Sequence, residues 1–332
     1  MNTPVTRTTR EIKKHNVVLV INALKALTSA TKAELAANTG LSIATCGTVL
    51  NELCLTGEVM ALAQDVSSGG RPAQRFACDP SFFSLLSLYV EGSSEQSRIV
   101  VSVSSALGDV LEQWDKSFEF LTLAQFTDTI SEAISRHPAI RAMGIGLPGV
   151  VSQGEVLACD IPLFVGLKLT EQLRQQFGIF VEAANDMNYS AWGFYRNNCP
   201  QEQAPLAYIL QPEHHCTGCG VVINGQVLQG ASHFAGEVSF LPVPQGNDVP
   251  VITKMVNLVK SLVAVINPAT IALSGVQISP EVIAEISRQC LLTIPPQHMP
   301  QLVYRQSIQP DYLIGIAELT LANFQRQRIF AD

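Results

Sequence analysis

Residues 214–220 read His-His-Cys-Thr-Gly-Cys-Gly, and three chemistries fit those residue types. His214, His215, Cys216 and Cys219 are side chains that zinc accepts, four of them within six positions. Cys216 and Cys219 have the C-x-x-C spacing of a redox pair. Gly218 and Gly220 could let backbone approach a phosphate closely. Against a metal, the usual zinc sites draw ligands from two separated elements, and adjacent histidines on a strand point to opposite faces. Against a dithiol, a redox C-x-x-C normally opens a helix. The segment is therefore expected to hold no metal and no cofactor, and to form a turn.

The elements around it must come from a chain of 332 residues, enough for two or three domains. Hydrophobic residues make up 47% and charged residues 15%, which supplies packed cores and excludes bulk disorder. No stretch approaches the roughly 18 apolar residues of a membrane span. The start, MNTPVTRTTREIKKHN, lacks the apolar run of a signal peptide, so a cytoplasmic protein is expected, with no membrane partner. The eight scattered cysteines then read as reduced thiols. The net charge of −7 is uneven: residues 1–80 carry eight Lys/Arg against six Asp/Glu, and the remainder is acidic. A mildly basic head on an acidic body suits a DNA-binding module joined to a sensor.

Helical spacing of apolar residues predicts a helix over 16–27. A second follows within 28–40, with Thr31 and Glu34 as a capping box and Gly40 as its stop. Ser42 caps a third, to which Ile43, Val49, Leu50 and Leu53 supply apolar contacts. Two short helices about a Gly-Leu-Ser turn make a helix-turn-helix, and residues 58–80 read as two strands about a Ser-Ser-Gly-Gly tip, a wing. The residues expected to meet DNA are Ser42, Thr45, Cys46 and Thr48 on the third helix and Arg71 at the wing tip. The helix residues are small and uncharged, suited to thymine methyls and phosphates rather than bidentate guanine contacts.

Beyond Pro80, three strands, a helix near 123–136 and then alternating strands and helices predict an α/β body. From residue 204 the strand pattern begins again, as if the body were two halves of similar build. GIGLPGVV, VEAANDMNYSAWGFY, GVVINGQVLQGASHFAGEVSFLP and INPATIALSG, in that order, resemble the motifs of the ROK family of sugar kinases and repressors. SSGGRPAQRF and the helix-turn-helix before it resemble the transcription-factor branch of that family.

The resemblance implies a winged helix-turn-helix over 1–80, then a two-lobed actin-like, hexokinase-like (ribonuclease H-like) fold with lobes over 81–190 and 191–332 and a cleft between them. It assigns Asp186, after Asn185, to the catalytic-base position of the kinases, and Glu237 to a sugar-binding position. Gly146, Pro148 and Gly149 match the cleft wall, and His233 lies near it. Without the resemblance, Asn185 and Asp186 read equally as a cap for the next helix. The phosphate machinery departs from the family pattern. The first phosphate hairpin becomes Val90-Glu91-Gly92-Ser93-Ser94, with Val90 where an Asp would stand, and the second becomes residues 214–220. A sugar- and metal-binding His is replaced within Ser239-Phe240, and the zinc segment with its sugar-contacting Glu is missing. The expectation is a regulator, a homodimeric repressor of a DNA operator, whose body binds a small effector such as a carbohydrate without phosphorylating it. The alternatives are a sugar kinase fused to a DNA-binding head, and a regulator whose body binds a protein.

Overall fold

The computed structural model describes residues 9–62, 73–92, 96–198, 203–212, 216–244 and 249–330. The head begins with α1 (Thr9–Leu27), a short strand β1 (Ala30–Thr31), α2 (Lys32–Thr39) and α3 (Ile43–Thr56), and closes with β2 (Val59–Ala61) and β3 (Arg75–Cys78). The strands pair in the order β1-β3-β2. The capping box at Thr31–Glu34 forms in both directions, Gly40 ends α2 in the left-handed region, and the Ser42 hydroxyl accepts from the Thr45 amide. α1 starts seven residues earlier than the apolar spacing predicts. That extra length is polar apart from the exposed Ile12, and its lysines reach outward, Lys13 to Glu52 and Lys14 to the Phe330 carbonyl. Ile43, expected inside, is exposed; the head's core is built instead on Val20, Leu24, Leu35, Cys46 and Leu50.

The body contains two five-stranded sheets of the same design. The first comprises β4 (Ser84–Gly92), β5 (Ser97–Ser105), β6 (Val110–Phe118), β7 (Ile140–Leu147) and β10 (Phe180–Asn185), in the order β10-β7-β4-β5-β6. Between them come α4 (Leu123–Arg136), the hairpin β8 (Gly149–Ser152) and β9 (Glu155–Cys159), and α5 (Leu169–Phe177). After α6 (Asp186–Asn198), the second sheet comprises β11 (Leu206–Gln211), β12 (Gly218–Ile223), β13 (Gln226–Val227), β14 (Thr270–Gly275) and β15 (Gln301–Tyr304), in the order β13-β12-β11-β14-β15. In each, two antiparallel strands lie on one side of the first strand and two parallel strands on the other. Helices α7 (Val251–Ile266) and α8 (Pro280–Cys290) cover the second sheet's outer face, and α9 (Gln309–Phe330) ends the described chain. Asn224 and Gly225, both at positive φ, make the tight turn between β12 and β13.

The two helices between the sheets depart from the expected division at 190/191. α6 packs on β11 and β12 of the second sheet, whereas α9, far beyond 191, returns to lie on β4 and β7 of the first. Glycines on the strands make room for each. A Cβ at Gly144 or Gly146 of β7 would strike Thr320 or Tyr312 of α9, and one at Gly218 or Gly220 of β12 would strike Met187 of α6. The helices cross where Gly193 of α6 meets Gly315 of α9. A Cβ at Gly193 would lie 1.8 Å from the Asp311 carbonyl oxygen, and one at Gly315 would lie 1.8 Å from that of Tyr189. Backbone contact of this kind admits no side chain, so this crossing sets how closely the two lobes approach.

α9 also reaches the head. Ile329 packs against the head's core, the Lys14 ammonium donates to the Phe330 carbonyl at 3.1 Å, and Arg328 pairs with the buried Glu58. Among the described residues, no helix is long and apolar enough to cross a membrane.

Candidate ligand cleft and nucleic-acid face

A cavity of about 560 Å³ opens between the two sheets, at the ends of β4, β10 and β12. Its most polar wall is the junction of β10 and α6. Asn185 holds that junction: its amide nitrogen donates to the Gly149 carbonyl at 2.9 Å, and its oxygen accepts from the amides of Met187 (2.8 Å) and Asn188 (3.1 Å). It therefore caps α6 and ties the β8 strand to it, while still lining the cavity. The Asp186 carboxylate accepts from the Met187 amide at 2.8 Å. Burial, reinforced by Asp160 and Glu237, pushes the Asp186 carboxyl up to about 7 despite that hydrogen bond. Burial, and then Asp160, likewise raises Glu237.

The structure brings Pro148, Gly149, Asn185, Asp186 and Glu237 to one cavity. It adds Asp160, which the sequence reading missed. This carboxylate follows β9, and its amide donates to the Pro148 carbonyl at 2.9 Å, which fixes it beside the cavity wall. Only its position just after the Gly-Pro-Gly hairpin could have signalled it. Tyr312 is a second missed residue: it lines the cavity with its ring stacked on Tyr89 at 4.4 Å, and its hydroxyl is buried with no hydrogen-bond partner among the described residues.

Two expected cleft residues are elsewhere. Gly146 is buried in β7 beneath Tyr312, because that strand must let α9 pass; its glycine serves packing and does not line the cavity. His233 is half-buried on the loop before Glu237, at φ +59°, outside the cavity lining. Phe234 and Phe240 on either side of Glu237 form an exposed ring pair with centroids 5.1 Å apart. Gly236, at φ +99°, leaves no room for a Cβ against the Cys219 carbonyl, so the turn presenting Glu237 needs a glycine.

The other end of the cavity is shaped by packing and by paired charge. Val90 is buried in the first lobe's core. Arg98, the one cation among the described lining residues, is shared between Glu91 (2.9 Å) and Asp115 (3.0 Å). Gly218 and Gly220 turn toward α6, so their missing side chains accommodate Met187. Cys219 points the other way, into the second lobe's core, and burial pushes its thiol up to about 12. A thiol held protonated is a poor nucleophile and a poor ligand, and Cys216 is exposed. His214 and His215 lie outside the described residues. Among the described residues no cluster of three or more His, Cys, Asp or Glu could hold a metal ion.

On the head, Ser42 and Thr48 are exposed and Thr45 is half-buried at the start of α3. Thr45 and Ser42 share a hydroxyl contact of 2.8 Å, and Thr48 donates to the Ala44 carbonyl at 3.1 Å. Cys46 does not join them. It is fully buried in the head's core, because its helical position faces α1 and α2, and it cannot touch DNA. Arg71 lies outside the described residues.

Residues 116–250 match the ROK family. This segment belongs to the ROK family. Around it, the chain is similar over 96% of its length to a crystal structure of a ROK family transcriptional regulator homologous to the E. coli MLC protein, at TM-score 0.72 and 17% identity, covering 99% of that chain. It is 21% identical to the xylose repressor of Bacillus subtilis over 240 residues, 70% of this chain and 61% of that protein. It is 30% identical to the N-acetyl-D-glucosamine kinase of Vibrio parahaemolyticus over 124 residues, 35% of this chain and 40% of that protein. The matches thus span about three fifths or less of these curated relatives. The two-lobed body and the helix-turn-helix head before it share the fold of that regulator.

Proposed function

We propose that this ROK protein is a DNA-binding transcriptional repressor of the cytoplasm whose body senses a small sugar-like ligand without phosphorylating it. Residues 1–80 form the DNA-reading head, with Ser42, Thr45, Thr48 and Arg71 toward the operator. Residues 81–190 and 191–332 form the sensing lobes, with α9 crossing back from the second to the first. Gly149, Pro148, Asn185, Asp186 and Glu237 bound the ligand site. Two copies bind a two-fold operator as a homodimer. A ligand that changes the lobe angle also changes the spacing of two heads, and fixed half-site spacing converts that change into lost operator affinity.

The observation that carries this reading is the path of α9. One helix of 22 residues, about 33 Å at 1.5 Å per residue, has Tyr312 in the cleft wall and Ile329 against the head's core. The cleft and the head share a rigid element, as a sensor requires. The similar proteins described above, a transcriptional regulator and a xylose repressor, agree with it.

The test is selection of genomic DNA fragments by the full-length protein, beside a Thr45→Ala, Arg71→Ala double variant. Enrichment of a palindromic site, lost in the variant, is expected. No enrichment at moderate salt by folded protein, with or without added sugars, would overturn the repressor reading.

The kinase alternative has one specific observation in its favour: Asp186 remains in the cleft with a proton affinity suited to a general base near neutrality. ATP-dependent phosphorylation of a sugar that disappears in Asp186→Asn would establish it.

A further inference from the structure

We propose that the effector carries a basic amine, and that the cleft selects an amino-polyol, such as an aminosugar with a free amino group, over its neutral and phosphorylated counterparts. This deepens the proposed sensor reading and rests on it. Three carboxylates, Asp160, Asp186 and Glu237, line the same cavity and influence one another. Asp186 stands at the first position of α6, and neither Asp186 nor Glu237 has an ion pair with a basic side chain among the described residues. The one cation on the described lining, Arg98, already serves two carboxylates of its own strands.

Carboxylates gathered in a half-dry cavity are stabilised by a positive charge brought in from outside. A neutral hydroxyl offers a hydrogen bond but leaves the mutual repulsion in place. A phosphate would add charge of the same sign, at an end where Met187 fills the space beside Gly218 and Gly220. A separate observation also points to a ligand. Tyr312 is 2% exposed and lines this cavity; its hydroxyl, buried against Gly146 and within the field of Asp186, has no hydrogen-bond partner among the described residues. Buried hydroxyls are normally paired, and the described residues supply no partner for this one. A cavity of about 560 Å³ accommodates a molecule of hexose size. The hydroxyls of such a molecule would meet Tyr312 while its ammonium sits between Asp186 and Glu237.

The experiment is calorimetric titration of the full-length chain at pH 7 with glucosamine, glucose, N-acetylglucosamine and glucosamine 6-phosphate, without DNA. Glucosamine is expected to bind about tenfold or more tighter than the other three. Asp186→Asn and Glu237→Gln should each reduce that preference to about twofold or less. Glu237 is half-exposed on a loop, so its variant keeps the test meaningful if the Asp186 variant folds poorly. Equal or tighter binding of the acetylated, neutral or phosphorylated sugar would overturn the inference. So would a preference that survives in both variants, or no binding of glucosamine. Because DNA is absent, the two readings fail separately. Amine selectivity without operator enrichment would keep this inference and remove the repressor; enrichment without amine selectivity would do the reverse.

Discussion

The two ends of α9 use the same chemistry for different purposes. At its first turn, Asp311 is fully buried, clamped by two 2.8 Å hydrogen bonds from Arg305 and approached by the Tyr208 hydroxyl at 3.2 Å. In its last turns, Arg328 forks onto the buried Glu58 and lies 5.3 Å from the centre of the Phe82 ring. Both are Arg–carboxylate forks with one buried carboxylate. The first, however, lies inside the body, next to the crossing of α6 and α9. The second joins the body to a head that already has a core of its own. Loss of the first should damage the fold; loss of the second should mainly detach the head.

The largest effect is expected at the cleft end. Arg305→Ala leaves the Asp311 charge buried and unpaired, which costs about 3–5 kcal/mol. Chemical denaturation should show the whole body losing that stability in one transition. Next comes the crossing itself. Gly315→Ala places a methyl against the Tyr189 carbonyl, and overpacking against backbone costs about 3 kcal/mol. It should also weaken ligand binding, since the lobes can no longer close to the same distance. If Gly315→Ala leaves both stability and ligand affinity unchanged, the crossing does not set the lobe distance.

At the head end, Arg328→Ala should lower global stability by only about 1–2 kcal/mol, because the Glu58 side chain keeps 8% of its surface exposed whereas that of Asp311 keeps none. Hydrogen exchange should quicken in α1, α2 and α3 and stay unchanged in β4 and β7. Operator binding should persist but lose its response to ligand. Exchange that quickens equally in head and body would erase the distinction between the two ends.

Much of this arrangement was legible in the sequence, for reasons that differ by element. The capping box at Thr31, the stop at Gly40 and the cap at Ser42 are local signals, and each forms as read. Helix α4 falls on its expected span, and the repeated strand pattern is repeated in two sheets of identical order. Glycines were the least transparent residues. Gly146, Gly218 and Gly220 invite a reading as loops that wall a cleft or cradle a phosphate, yet each is the place where a strand admits a helix from elsewhere in the chain. No local pattern reveals that, because the partner, Tyr312 or Met187, is distant in sequence. The same limit hid Asp160 and Tyr312. Cys46 is a different case: its spacing with Val49, Leu50 and Leu53 puts it on the apolar face of α3, a local signal that the DNA-contact reading overlooked.

An effect comparable in size to that at the head end is expected from a titration at the cleft end. Asp186 in the folded chain holds its proton up to about 7, against an ordinary carboxyl near 3.8. Between those values the folded state binds more protons than the unfolded state, so stability falls as pH rises. The contribution is fully present below about pH 4 and is lost as pH passes 7. The groups facing Asp186 are Asp160, Glu237 and Tyr312; Glu237 shifts in the same direction, as do Glu182 and Asp311 deeper in the body. The wild-type slope therefore has several sources, and the difference from Asp186→Asn isolates one. The variant should gain stability relative to wild type as pH rises from 4 to 8, by about 2 kcal/mol once solvent access to the cleft is allowed for. A saturating amine ligand should remove that gain, because its charge gives the Asp186 carboxylate a partner that the described residues do not provide. A relative stability independent of pH would mean that Asp186 is well solvated in the empty cleft, and the chemical contrast between the two ends of α9 would shrink to their packing alone.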